Sequence, residues 1–322
     1  MAAKLEAWGV GGLVLALLAN PPTAKAEVAR YGRLPQRATA VERAFSGGLV
    51  SLRAPGSIMI RVAASSFIMG STADEALDAA VASAREPLGN RYNEQTFTDE
   101  LPRHSVSLGS FWLDRSEVTA GDYDHCAARG RCAPRPLEGG ARRFAAEEWP
   151  ATFVSARDAE IYCRTRGARL PHEAEFERAA RGTGGRTYPW GNVYNPKLAN
   201  HGREGLDTTD ASDGYAELAP VGSFPNGATP DGFVDLAGNA AEWTQDAYNR
   251  RHDLAPDPNG HDLVVRGGHY ARGAAWLRGA ARMPRDPDDR LPFIGFRCAR
   301  SFADDGAPAP TTPVAPEPGA PP

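Results

Sequence analysis

The chain has 322 residues, 42% of them hydrophobic and 24% charged, which is the composition of a folded protein and excludes disorder for most of its length. A formal net charge of -4 supplies no positive field to draw it to nucleic acid or to an anionic membrane surface. Nearly all its positive charge is arginine, since only Lys4, Lys25 and Lys197 are lysines, so a given arginine is more often a structural side chain than a ligand reader.

The first element is an apolar run, VGGLVLALLA over residues 10–19, preceded by Lys4 and followed by Pro21, Pro22 and the small-residue pattern Ala24-Lys25-Ala26. That order predicts a secretory signal peptide over residues 1–26, cut after Ala26. The run is short for a membrane span and no cysteine stands at the cut to take a lipid, so the expected destination is export, periplasmic or secreted, with no membrane span.

Residues 27–56 read as a lead-in segment and residues 57–302 as one folded domain. Within it, SIMIRVAA and HSVSLGSFWLD predict short strands. Caps mark three helices. TAGDYDHCAARG starts on Thr119 with Asp122 three residues on and closes at Gly130, and SARDAEIYCRTRG repeats the design with Ser155, Asp158 and Gly167. HEAEFERAARG carries Glu173 and Glu175 in its first turn and Arg178 and Arg181 in its last, as the helix dipole favours, with Phe176, Ala179 and Ala180 on its buried face. The rest is long, Gly-, Pro-, Asn- and Asp-rich chain, so disulfides or bound cations are expected to help hold the domain. Residues 303–322 end with seven prolines in fifteen positions, which cannot build a core and predict an extended disordered tail.

Export makes paired thiols the expectation for the four cysteines, which allow three pairings. The spacing CAARGRC makes Cys126 with Cys132 the easy closure and leaves Cys163 with Cys298 to tie the middle of the domain to its end. A site of four thiolates is the alternative, but no CxxC pair is present.

Several motifs fail on inspection. HEAEF has Phe176 where a zinc protease helix needs its second histidine, and GTGGRT at Gly182 follows a helix and lacks the lysine of a phosphate loop. DTTDASDG, residues 207–214, has oxygen donors but not the EF-hand spacing. VDLAGNAAEWTQD is more informative: Asp235, Gly238, Ala240 and Glu242 can offer two carboxylates and two carbonyls to a hard cation from one irregular segment, the plainer reading being a solvated turn ahead of a buried Trp243. The loop RGGHYARGAAWLRGAAR, residues 266–282, combines arginine with small residues and one histidine, which suits a phosphate cradle, a nucleic-acid patch, a structural loop or an altered active site.

Taken in order, FIMGS, LPRHSVSLGSFWLDRSEVTAGDY, YCRTRGARLPHEAEFERAARG, YPWGN, DLAGNAAEWTQD, VVRGGHY and IGFRCAR resemble the formylglycine-generating enzyme family, also called sulfatase-modifying factor. The resemblance covers residues 57–302. It implies an α+β fold: a single compact domain of the formylglycine-generating enzyme type, with a C-type-lectin-like core, little regular secondary structure and bound calcium. One calcium would fall to Asn200, His201 (carbonyl), Asp213 and Tyr215 (carbonyl). A second would fall to Asp235, Gly238, Ala240 and Glu242, with Asp235 where the family has asparagine. The pairing of Cys163 with Cys298 also resembles a family disulfide.

Family enzymes that turn a sulfatase cysteine into formylglycine hold copper(I) between two cysteines in the loop after the RGGS phrase. Those two places carry Arg272 and Leu277 here, and the serine of the phrase is His269. Copper(I) is soft and seeks thiolate, which neither residue supplies. The leading expectation is therefore a calcium-stabilised binding module without the oxidase activity. Arg266, His269, Tyr270, Arg272 and Trp276 would line the old cleft and take a peptide, a sugar or a small anionic ligand, with Arg272 reading charge. Nucleic acid is not an expected partner. The alternative is an oxygen-dependent oxidase of a peptide or metabolite with iron or copper held by His269 together with His201 or His261. The plainer reading of His269 is a loop histidine bonded to a carbonyl.

Overall fold

Short strands that pair at long range set the frame. The computed structural model describes residues 51–54, 57–86, 93, 95–203, 210–252 and 260–302; the predicted signal peptide and proline-rich tail lie outside these. In chain order the strands and helices are β1 (Ser51–Ala54), β2 (Ser57–Val62), β3 (Ser65–Met69), α1 (Ala73–Ala84), β4 (His104–Leu108), β5 (Phe111–Asp114), α2 (Ala120–Ala128), α3 (Ala156–Thr165), α4 (Glu173–Arg181), β6 (Ala241–Ala247), β7 (Leu263–Arg266), β8 (Arg282–Arg285), β9 (Ile294–Gly295) and β10 (Ala299–Ser301). The first strand falls inside the stretch read as a lead-in.

One antiparallel sheet has the order β1-β2-β5-β10, a second is the pair β3-β4, and a third runs β8-β7-β6-β9 with β6 parallel to β9. β5 is buried along its whole length because β2 and β10 flank it. It therefore carries Phe111, Trp112 and Leu113 in sequence instead of alternating. Its last residue, Asp114, is fully buried and answered by Arg166, whose Nη1 and Nη2 donate at 2.8 and 2.9 Å, and by the Cys298 N–H.

The helices follow their caps. Thr119 accepts from the Asp122 N–H, and Ser155 and Asp158 form a reciprocal capping box. α4 stops at Gly182, and its Phe176, Ala179 and Ala180 are completely buried. α1 was not foreseen from the sequence, although Thr72 and Glu75 form a capping box for it. Its only apolar residues larger than alanine, Leu77 and Val81, are exposed, and its inner face of small residues packs on the loop at Ala274–Leu277.

Two devices replace the missing ladders. Both disulfides form, Cys126 with Cys132 and Cys163 with Cys298, the second closing a sequence separation of 135 residues. Arginine–carboxylate pairs are the other device. Arg297 with Glu242, Arg278 with Glu100, Arg282 with Glu173 and Arg266 with Glu177 are all sealed from solvent.

Candidate functional site

The loop between β7 and β8 folds back on itself. Gly268 has φ +67°, and a Cβ there would press on the Trp276 carbonyl at 2.6 Å, so the backbone crosses where no side chain fits. Its four expected cleft residues and the arginine before it separate into different environments.

Arg266 does not reach a cleft. It is 0% exposed, and its guanidinium spans Glu173 (3.3 Å) and Glu177 (2.5 Å) while also donating to the carbonyls of Gly279 and Ala280. The sequence reading placed it among ligand-facing groups; a buried carboxylate pair on α4 claims it instead. His269 is also fully buried. Its ring stacks on Phe293 at 4.3 Å, its Nδ1 accepts from the Ala271 N–H at 3.2 Å, and its Nε2 has no partner among the described residues. Burial, reinforced by Arg272 and Arg285, holds its pKa well below the usual histidine range, so the ring is neutral. It accepts from a backbone N–H instead of bonding a carbonyl. Tyr270 packs with Phe144, Leu218, Ala240 and Ala271. Leu277, at one of the two copper positions, is 0% exposed and packed with Tyr188, Ala199 and Ala237.

Arg272 and Trp276 do come together. The guanidinium carbon lies 4.7 Å from the indole centroid, in cation–π range. Of the five expected cleft residues only Arg272 keeps partial exposure, the others being buried. Glu86, just past α1, lies against this segment: a Cβ on Gly273 would overlap its carboxylate. Trp276 in turn meets Phe97 at 4.8 Å.

Of the first expected cation set, the backbones of His201 and Tyr215 meet at Asp213. Asp213 accepts from the N–H groups of His201 at 2.6 Å and Tyr215 at 2.9 Å. The Asn200 side-chain amide donates to Glu217 O and Asn239 Oδ1, and its buried Oδ1 has no hydrogen-bond partner among the described residues. A buried, orphaned amide oxygen beside a carboxylate is the donor chemistry of a hard cation, so these residues fit calcium.

The second set fits in part. Glu242 is fully engaged by Arg297, and Asp235, with φ +57°, accepts from the Gly222 N–H at 2.6 Å. Sequence reasoning missed Glu117, which completes a buried trio of carboxylates with Asp235 and Glu242 around the single Arg297. Glu117 Oε1 accepts from Asn239 at 3.1 Å, and its side chain lies against that of Asp235. Burial, then the neighbouring Asp235 and Glu242, push Glu117 well above the ordinary carboxylate range. No local pattern marks it, since Glu117 follows Asp114, Arg115 and Ser116 in a mixed polar stretch before the Thr119 cap. Asn239 was also missed, and it joins the two sets: its N–H donates to Asn200 O at 2.9 Å and its Oδ1 accepts from Asn200. Gly238 beside it, with φ +81°, lies so close to the Asn200 carbonyl that a Cβ would overlap it.

Among the described residues no three His, Cys, Asp or Glu side chains are placed together to hold a metal. The first calcium set would draw mostly on carbonyl and amide oxygens instead.

The architecture is thus an irregular α+β domain whose glycine-rich loop is packed over by a helix and lacks thiols. The Sulfatase-modifying factor enzyme 1-like domain matches residues 51–302, and the chain belongs to that family. It is 39% identical over 167 residues to the inactive C-alpha-formylglycine-generating enzyme 2 of Mus musculus, covering 48% of this chain and 50% of that protein. Against the formylglycine-generating enzyme of Bos taurus it is 38% identical over 166 residues, covering 47% and 43%. The chain therefore spans about half the length of the curated relatives it matches. The structure of PvdO from Pseudomonas aeruginosa superposes with a TM-score of 0.60 at 28% identity, covering 76% of this chain and 95% of that one. The fold is consistent with a C-type-lectin-like core.

Proposed function

We propose that this protein is an exported member of the family that binds an anionic ligand at Arg272 and does not convert cysteine to formylglycine. The observation that carries the reading is the filling of the copper positions: Arg272 is a cation stacked on Trp276, and Leu277 is sealed in an apolar cluster. Neither offers a soft donor, and all four cysteines are spent in disulfides. Similarity to the inactive mouse relative supports the same reading, and two disulfides support an oxidising compartment.

Arg272, partly exposed and braced by an aromatic face, suits a carboxylate or sulfate on a peptide or sugar. Calcium would be held by Asn200, His201, Asp213 and Tyr215, and by Asp235 with the Gly238 and Ala240 carbonyls if Arg297 releases Glu242. Its contribution would be structural, closing irregular chain on itself.

Elemental analysis of the purified protein, paired with titration of an acidic and a neutral peptide of equal length, tests this. Calcium alone, with the acidic peptide preferred and its affinity reduced about tenfold in Arg272→Ala, is the expected result. Stoichiometric iron or copper with oxygen uptake would move the protein to the oxidase class instead.

A further inference from the structure

A cavity of about 250 Å³ lies between α1 and the second half of the loop, and Arg272 is not among its walls. Apolar walls come from Ala79, Ala274, Ala275 and Ala280. Two arginines also line it, but every guanidinium nitrogen already donates to protein. Arg278 serves Glu100 through Nη1 and Nη2 at 2.9 and 2.6 Å and Ala275 O through Nε. Arg181 serves Glu177, Gly70 O, Gly185 O and Arg186 O. The wall cations are spent, so neither guanidinium is left to meet an anion.

What remains uncompensated is negative or accepting. Asp78 lines the cavity from the exposed side of α1 and has no ion-pair or hydrogen-bond partner among the described residues. Glu75 beside it holds the helix cap through Oε2 and meets Arg103 only at 3.3 Å. Tyr188 is 7% exposed and lines the cavity, and its hydroxyl makes no hydrogen bond to protein among the described residues. A side chain this buried with an unmatched hydroxyl, at a cavity larger than one water needs, indicates a site shaped for a ligand.

We propose that this cavity binds a small organic cation, an alkylammonium ligand whose charge is met by Asp78 at the mouth, whose aliphatic part packs on the alanines, and whose polar end bonds the Tyr188 hydroxyl. The site is separate from the anion reader at Arg272, and the two stand or fall independently.

Calorimetric titration with 6-aminohexan-1-ol, and with 6-hydroxyhexanoate as the charge-reversed control, tests it. The amine should bind and the hydroxyacid should not. Asp78→Asn, at an exposed helix position, should weaken the amine by roughly fivefold or more, and Tyr188→Phe by several-fold, as for hydrogen bonds to a charged ligand. Ala82→Leu, exposed beside the mouth, should block binding while leaving the fold intact by circular dichroism. Arg272→Ala should bind the amine as the parent does, whatever it does to acidic peptide. No measurable amine binding, equal binding of the hydroxyacid, or unchanged affinity in Asp78→Asn and Tyr188→Phe would overturn the proposal.

Discussion

Arg297 and Glu242 form a two-point pair sealed from solvent, Nε to Oε2 at 2.6 Å and Nη2 to Oε1 at 2.7 Å, both side chains being 0% exposed. The same guanidinium also donates to the carbonyls of Asp114, Arg115, Val234 and Asp235, so one side chain ties β5, the turn before β6 and the start of β6 together. Removing either partner strands a buried charge. Arg297→Met and Glu242→Gln should each destabilise the domain by about 3–5 kcal/mol, with the double variant much less damaging than the sum. Denaturant unfolding of the three variants measures this, and additive losses would show the pair is not a unit.

The two disulfides should differ in weight. The Cys163–Cys298 bridge closes a separation of 135 residues and the Cys126–Cys132 bridge one of 6. In the chain-entropy account the longer loop contributes roughly 5 kcal/mol and the shorter roughly 2. Paired Cys→Ser replacements, compared by urea unfolding, should preserve that order.

Asp99 gives a pH dependence. Burial raises its pKa to about 7, with Glu100 adding to the effect and Arg282 opposing it. Its Oδ2 accepts from Tyr248 at 2.9 Å and its Oδ1 has no partner among the described residues. Because the folded pKa lies above the unfolded one, the group's favourable contribution is complete below about pH 4 and is lost as pH rises through about 7. Asp99→Asn removes the cost of ionising a buried carboxyl, so it should raise the melting temperature at pH 8.5 by several degrees more than at pH 5.5. Equal shifts at the two pH values would contradict the assignment.

Calcium should act as a structural ligand. At one hundred times its dissociation constant, a cation bound only by the folded state adds about 2.7 kcal/mol. Chelation should lower the melting temperature accordingly, and Asp213→Asn should remove most of the calcium-dependent part. An unchanged melting temperature on chelation would argue that Arg297 and backbone N–H groups have replaced the cation.

Much of the local structure was legible before the fold. Thr119, Ser155 and Gly182 announce helix ends because caps are local chemistry, and the spacing of Cys126 and Cys132 announces a bridge for the same reason. α1 was missed because its small, alanine-rich face lacks the apolar stripe that marks a buried helix. Arg266 was misplaced because its partners Glu173 and Glu177 are some ninety residues earlier, and a sequence shows the charge without showing which carboxylate answers it. Glu117 and Asn239 were invisible for a like reason: their role arises only where three distant segments meet. The replacement of the family's thiol pair that the resemblance implies, by contrast, was readable in two letters, Arg272 and Leu277.

The most direct test of the central claim is to load the purified protein, with both disulfides intact, with copper(I) in the presence of a competing chelator and then assay aldehyde formation on a cysteine-containing sulfatase peptide. The account predicts that the chelator keeps the copper and that the peptide thiol is recovered unchanged. Copper retained at one equivalent per chain, with aldehyde appearing as oxygen is consumed, would contradict it.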